Sequence, residues 1–314
     1  MFTSTGNDIS AYENIGIVGE GTYGKVYKAR KKSNDLIVAV KKIEMEEEEA
    51  VSLPTIREIK HLTKLKNENI VNLLEIILDG NYFYLIMEYI PFDLSGLIKR
   101  GFHLSDNSML SFAYQLLSSV RYLHSNGIIH RDIKSSNVLL TKDGKIKLVD
   151  FGLSREKCKY MTNRVCTLWY RAPELLLGSQ NYDEKVDSWS IGCILLELRL
   201  RKIPFKGNDE VSQIRNIFTQ LGSPKTQYIW SEMLEQSDFL KKEPFSEIVK
   251  KLYSEYFDEK LLTILTKLLN PDPTERMTPA EVLSLDIFGS NNLYNSPIES
   301  EILNELNFNQ KPKL

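Results

Sequence analysis

The chain has 314 residues, of which 42% are apolar and 26% charged, with a formal charge of −2. That length allows one large core or two lobes, and that charge gives no global pull toward nucleic acid or a membrane surface. No apolar run reaches the roughly 18–20 residues that span a bilayer; the first residues lack the charged and apolar regions of a secretory signal; and Cys158, Cys166 and Cys193 show neither disulfide-framework count nor zinc-ligand spacing, so a reducing compartment is expected.

Residues 1–11 read as an N-terminal extension. Residues 12–19, 22–30 and 36–43 are rich in Ile, Val and Tyr and read as strands, with Ser33-Asn34-Asp35 as a turn. Between the first two lies a G-x-G-x-x-G-x-V pattern: Gly19, Glu20, Gly21, Thr22, Tyr23, Gly24, Lys25 and Val26, led in by Ile17 and Val18. Glycines let a backbone approach phosphates closely. Alone the pattern is weak, and a plain tight hairpin also accounts for it. A dinucleotide-binding loop would open a helix, with an acid about 20 residues on. Here the loop joins two strand-like segments, which favours a flap over a nucleotide. The basic Lys28–Lys32 stretch reads as a solvated hairpin surface or a nuclear signal.

Val38-Ala39-Val40-Lys41 is a strand ending in lysine, and Lys42 would face the other side of the sheet. An acidic run, Glu44 to Glu49 around Met45, precedes a predicted helix from Leu53 to Leu65. Ser52 is its N-cap, Pro54 sits in its first turn, and Ile56, Ile59 and Leu62 are expected on one face. Glu58 is the natural counter-ion of Lys41. That pair is expected to need outside support, because it forms only when the helix swings inward. Strands at 70–78 and 82–90, joined by Asp79-Gly80-Asn81, complete a small antiparallel sheet with one helix. Met87 would guard the rear of an apolar pocket. Backbone groups of Glu88 and Ile90 would meet a base edge, Leu139 would form the floor, and Ala39 and Asp93 complete the set.

After Pro91 helical periodicity dominates 94–100, 108–125, 184–199, 208–221 and 259–269, with short strands at 138–140 and 146–149. The expected fold class is α+β, with a smaller lobe over 12–90 and a mostly helical lobe over 91–288. The hinge falls near 88–94, and 289–314 reads as a surface tail. His130-Arg131-Asp132-Ile133-Lys134-Ser135-Ser136-Asn137, then Asp150-Phe151-Gly152, supplies the parts for moving a phosphoryl group to a hydroxyl. Asp132 would accept the hydroxyl proton, Lys134 would steady phosphate charge, and Asn137 and Asp150 would hold magnesium. The loop from Asp150 to Glu174 contains Thr162. If phosphorylated, its charge could gather Arg57, Arg131 and Arg155. Glu174 with Arg276 is a candidate buried ion pair, and Asp187 a candidate brace for the catalytic-loop backbone.

These motifs in this order resemble the eukaryotic protein kinases over about residues 10–290, and Lys134 after His-Arg-Asp resembles the serine/threonine class. Gly-Glu-Gly-Thr-Tyr-Gly at 19–24, Thr-Ile-Arg-Glu-Ile at 55–59 and Thr-Leu-Trp-Tyr-Arg-Ala-Pro-Glu-Leu-Leu-Leu-Gly at 167–178 are similar to the cyclin-dependent kinases. Asp93-Leu94-Ser95-Gly96-Leu97, Arg131 to Asn137 and Thr162-Asn163-Arg164-Val165 narrow the resemblance to the transcriptional branch. The resemblance implies a bilobal kinase fold, ATP and Mg2+, a cyclin on the Thr55–Ile59 helix, and Ser/Thr-Pro sites in the C-terminal repeats of RNA polymerase II. It also implies nuclear residence, with the cytoplasm compatible, and no direct contact with nucleic acid or membrane. Thr22 and Tyr23 match inhibitory phosphorylation positions of the cell-cycle members. Met87 stands where the branch usually has phenylalanine.

Overall fold

The computed structural model describes residues 8–21, 24–45, 52–224, 239–289 and 298. Thr22, Tyr23, Glu46 to Glu49 and all of the expected tail from 290 on except Ile298 lie outside the described residues, as does the side chain of Glu20.

The smaller lobe is a five-stranded antiparallel sheet of order β1-β2-β3-β5-β4, formed by β1 (Tyr12–Gly21), β2 (Gly24–Lys31), β3 (Ile37–Glu44), β4 (Leu73–Asp79) and β5 (Tyr82–Glu88). One helix, α1 (Leu53–Lys64), packs on it between β3 and β4. Alternation sorts the strand faces. Val38 and Val40 join Tyr12, Ala29, Ile77 and Ile86 in one apolar cluster, while Ile43 and Leu85 meet Ile59 of α1 in another. Lys42 faces away from Lys41, 3.6 Å from the centre of the Tyr82 ring. The basic hairpin is a solvated surface steadied by rings: Lys28 lies over Tyr89 and Lys31 over Tyr12.

Ser52 caps α1 by accepting from the Thr55 N–H, with Pro54 in the first turn, as expected. The buried face differs from the expectation. It is Thr55, Glu58, Ile59, His61 and Leu62, whereas Ile56 is 47% exposed and Leu53 65%. At about 100° per residue Ile56 stands roughly 120° round the helix from Leu62, so the two cannot share a narrow face once Glu58 is turned inward.

The chain crosses to the larger lobe through β6 (Phe92–Asp93), α2 (Leu94–Lys99) and α3 (Asp106–Ser125). There follow β7 (Ile128–Ile129), β8 (Val138–Leu140), β9 (Ile146–Leu148), β10 (Arg155–Glu156) and α4 (Pro173–Leu176). Helices α5 (Lys185–Leu200), α6 (Glu210–Leu221), α7 (Phe245–Tyr253), α8 (Glu259–Leu268) and α9 (Pro279–Leu283) complete it. Helix α5 is buried from Val186 to Leu198 and forms the lobe's axis. Within it Gly192 lies against α8, where an added Cβ would come within 2.6 Å of Leu269. Ile298 is fully buried in the main core, so the stretch expected as a surface tail is anchored at that point. An isolated aliphatic side chain can bury itself whatever the composition of its neighbours.

Candidate active site

Each half of the site is built by short-range rules and then joined across the lobes. In the smaller lobe the β1–β2 hairpin closes at Gly21↔Gly24. Gly24 has φ +143, and a Cβ there would sit 2.2 Å from the Lys42 carbonyl oxygen, so only glycine fits the close approach of β2 to β3. Ile17 and Val18 expose 67% and 51% of their surface, while Val26 is half-buried and Lys25 exposed. Register then places Lys41 opposite Val26 and Leu85, with its ammonium pointing below the sheet.

The Lys41 ammonium lies 2.7 Å from both Glu58 carboxylate oxygens and 3.5 Å from Asp150 Oδ1. Burial pulls the Lys41 pKa down, but the two carboxylates more than reverse it and hold it above the ordinary lysine value. Burial is likewise the main influence on Glu58 and pushes its pKa up. The pair is closed in the single chain, with α1 turned inward. The inward position of α1 is therefore compatible with the chain's own packing.

Between the strands, Ala39 pairs with Met87. Met87 is buried and Leu139 half-buried. The Glu88 N–H already donates to the Asn72 carbonyl (3.1 Å), and the Glu88 carboxylate accepts from the Asn72 N–H and Lys147. Ile90 makes no hydrogen bond among the described residues, so its backbone fits the role of meeting a base edge better than the Glu88 N–H does. Asp93 is engaged locally: its Oδ1 accepts from the Gly96 N–H at 2.6 Å and caps α2.

In the larger lobe Asp187 of α5, fully buried, holds the catalytic loop by its backbone. Its Oδ2 accepts from the His130 N–H and its Oδ1 from the Arg131 N–H, both at 2.9 Å, and His124 Nε2 lies 2.9 Å from Oδ2. Burial acts to raise the Asp187 pKa, but the His124 contact, nearby His130 and the Arg131 N–H more than offset it. This brace fixes Arg131 at φ 64, in the left-handed region; Asp150 has the same φ. Such conformations cost about 1–3 kcal/mol each and persist where surrounding contacts over-determine them. His130 is the link between the two. Its Nδ1 accepts from the Asp132 N–H, leaving the ring proton on Nε2 for the Val149 carbonyl, and burial lowers its pKa.

The Asp132 carboxylate is held from both sides. Oδ1 accepts from the Thr167 N–H (3.1 Å) and hydroxyl (3.0 Å), and Oδ2 from Lys134 (2.7 Å) and Asn137 Nδ2 (3.1 Å). Lys134 also donates to the Thr167 hydroxyl at 3.1 Å. Thr167 is a site residue that the sequence expectations miss, since nothing local marks a threonine thirty-five positions from the acid it orients. The Val149 N–H donates to the Asn137 carbonyl, which sets Asp150 beside Asn137. Asn137 turns its Nδ2 to Asp132, leaving its Oδ1 without a donor among the described residues. Burial tends to raise the Asp150 pKa, but Lys41, His130 and Lys134 outweigh it and keep the carboxylate charged. An anionic and a neutral oxygen side by side suit a hard divalent cation. Such a cation, when bound, would neutralise phosphate charge.

Of the three arginines expected around a phosphorylated Thr162, one has described side-chain partners. Arg131 is buried, with Nε donating to the Leu153 carbonyl and Nη1 to the Tyr182 hydroxyl. Tyr182 in turn donates to the Thr162 carbonyl at 2.7 Å. Thr162 is exposed, and neither Arg57 nor Arg155 makes an ion pair among the described residues.

His61, three residues after Glu58, ties α1 to the segment after Phe151. Its Nδ1 lies 2.6 Å from the Ser154 hydroxyl, which donates to the Phe151 carbonyl. Burial lowers its pKa to about 4. An unfolded histidine near 6.5 binds the proton that the folded one refuses. Stability from this site is therefore complete above pH 6.5 and falls away as pH drops toward 4. We expect an acid-side loss of about 2 kcal/mol, discounted for solvent reaching part of the ring. Thermal melts of the wild type and His61→Asn across that window should diverge; superimposable profiles would remove His61 from the account.

The protein kinase domain family matches residues 12–288. A probable cell division protein kinase of Encephalitozoon cuniculi is 43% identical over 295 residues, covering 94% of this chain and 96% of that one. The CTD kinase subunit alpha of Schizosaccharomyces pombe is 40% identical over 290 residues, covering 89% of this chain but 49% of that protein. Cyclin-dependent kinase 12 of Drosophila melanogaster is 38% identical over 294 residues, 88% of this chain and 25% of that one. The chain thus spans about half the length of the first of these two longer relatives and a quarter of the second.

Proposed function

The chain belongs to the protein kinases, in the cyclin-dependent family, and on that premise we propose that it phosphorylates Ser-Pro or Thr-Pro sites in the C-terminal repeats of RNA polymerase II. A cyclin partner, protein substrates, ATP and a divalent metal come with the family; magnesium, the polymerase repeats and nuclear residence belong to the proposal. One observation carries the chemistry. Glu58, Lys41 and Asp150 form one contact chain, Asn137, Asp132, Lys134 and Thr167 form another, and the Val149–Asn137 hydrogen bond joins them. In this reading the loop from Gly19 to Val26 covers the phosphates and Lys41, oriented by Glu58, binds them. Asn137 and Asp150 hold magnesium. Asp132 accepts the hydroxyl proton while Lys134 steadies the moving phosphoryl group. Ala39, Met87, Ile90 and Leu139 enclose the base. The reading takes 12–90 and 91–288 as the limits of the two lobes.

The cyclin would sit on α1, whose outer face presents Leu53 and Ile56 while its inner face holds Glu58. Thr162 would be the activating phosphosite: it is exposed, Arg131 reaches its carbonyl through Tyr182, and Arg57 and Arg155 remain available. Identity with the CTD kinase subunit alpha supports the polymerase substrate. The Encephalitozoon relative, named as a cell division kinase and matched over nearly its whole length, favours a cell-cycle substrate as the second reading. Assays of the kinase with its co-purified cyclin on polymerase-repeat and histone peptides separate them. The expected result is preference for the repeat peptide and loss of most activity in Thr162→Ala. Preference for the histone peptide would select the second reading.

A further inference from the structure

Beside the catalytic loop lies a cavity of about 300 Å³ that the phosphoryl-transfer site does not use. Lys134 and Thr167 stand on its inner wall. Since Lys134 is 2.7 Å from Asp132, the cavity begins within one side chain of the place where an acceptor hydroxyl would lie. Its floor carries Glu197 of α5. Both Glu197 oxygens are occupied, Oε1 by the Ser135 hydroxyl (3.1 Å) and Oε2 by the Tyr170 hydroxyl (2.6 Å), and burial raises its pKa.

The rim has the opposite character. Lys99 at the end of α2, and Arg201 and Lys202 just past α5, line the opening and are exposed. None of the three side chains makes an ion pair or hydrogen bond among the described residues, although Lys99 lies near enough to Glu197 to act on it electrostatically. Nearby cations are matched: Arg199 pairs with Asp106, Arg171 with Glu210, and Lys206 lies over the Trp169 ring. Arg201 ends α5 with φ 56, and its Nη1 comes within 4.0 Å of where a Cβ on Gly101 would be, just after α2. The guanidinium therefore reaches across toward the segment that carries Lys99. Three cations without an ion-pair partner, facing one buried carboxylate whose oxygens are already taken, attract a further anion, and a guanidinium fork suits phosphate or carboxylate geometry.

We propose that this cavity receives an anionic side chain of the protein substrate, phosphorylated or carboxylate, at a fixed spacing from the acceptor hydroxyl, so that the enzyme favours targets already bearing negative charge. The inference rests on the kinase reading above. It is tested with cyclin-bound kinase and an acceptor peptide carrying neutral serine, phosphoserine, glutamate or arginine at successive positions on either side of the acceptor. At one spacing phosphoserine should raise kcat/KM about tenfold over the neutral peptide. Glutamate matching phosphoserine would identify any carboxylate as sufficient; a gain with phosphoserine alone would identify prior phosphorylation as the source. Lys99→Gln/Arg201→Asn/Lys202→Gln should abolish the gain while turnover of the neutral peptide stays unchanged; asparagine is chosen because it tolerates left-handed backbone. If that protein melts early, Lys99→Glu alone, on an exposed position, should show the same selective loss. The proposal is overturned by no gain at any spacing, by a gain that survives the substitutions, or by preference for arginine, which would assign the cavity to Glu197. No turnover of any peptide by the wild type would instead count against the kinase reading itself.

Discussion

Asp132→Asn should lower phosphoryl transfer by about 10²–10⁴-fold, the range general-base catalysis contributes, without unfolding the protein. The carboxylate is fixed by four donors, two from Thr167 on Oδ1 and one each from Lys134 and Asn137 on Oδ2. Asparagine keeps an oxygen for Thr167 and loses the group that takes up the proton. Melting temperature and ATP affinity should therefore hold while single-turnover transfer collapses. Retention of wild-type turnover would exclude Asp132 as the base. A large drop in melting temperature would show that it acts as a structural anchor instead.

The largest expected stability effect lies away from the chemistry. Glu174 and Arg276 form a bidentate pair at 2.8 and 2.9 Å, both buried, and the guanidinium lies over the Trp189 ring. Arg276 also donates to the carbonyls of Asn270 and Lys185. Glu174→Leu leaves a guanidinium in the core with no anion, which typically costs about 3–5 kcal/mol and on the order of 10 °C in melting temperature. Replacing both partners by apolar residues, Glu174→Leu with Arg276→Met, should recover much of that loss, because desolvation of the pair offsets most of its attraction. If the single substitution melts like the wild type, the pair does not brace the lobe.

What the sequence made legible was chemistry carried by contiguous residues. The glycine hairpin, the strand ending at Lys41 and the segments holding Asp132, Asn137 and Asp150 are each recognisable because backbone geometry and function share a few positions. The Ser52 cap and the strands expected at 138–140 and 146–149 were readable for the same reason, the second ending one residue earlier, at Leu148. Helix α9 announces itself by the Thr278–Glu281 capping box yet is absent from the sequence expectations, as are α7 and the four-residue α4, which is too short for periodicity to stand out. Long-range partners were less accessible. Glu58, Asp187 and the Glu174–Arg276 pair were reachable through motif logic, but Thr167 on Asp132 and His61 on Ser154 depend on how separate segments pack. Ile56 shows the limit most plainly: apolar spacing put it inside, and the inward turn of Glu58 put it outside.

The central claim is that Lys41, Asn137, Asp132 and Asp150 form one metal-nucleotide site. Titration of ATP into the cyclin-bound protein, with and without magnesium, tests it most directly when wild type, Asp132→Asn and Asp150→Asn are compared. The account predicts magnesium-enhanced binding for the first two and loss of that enhancement in Asp150→Asn. Equal magnesium response in all three, or no ATP binding by the wild type, would contradict it.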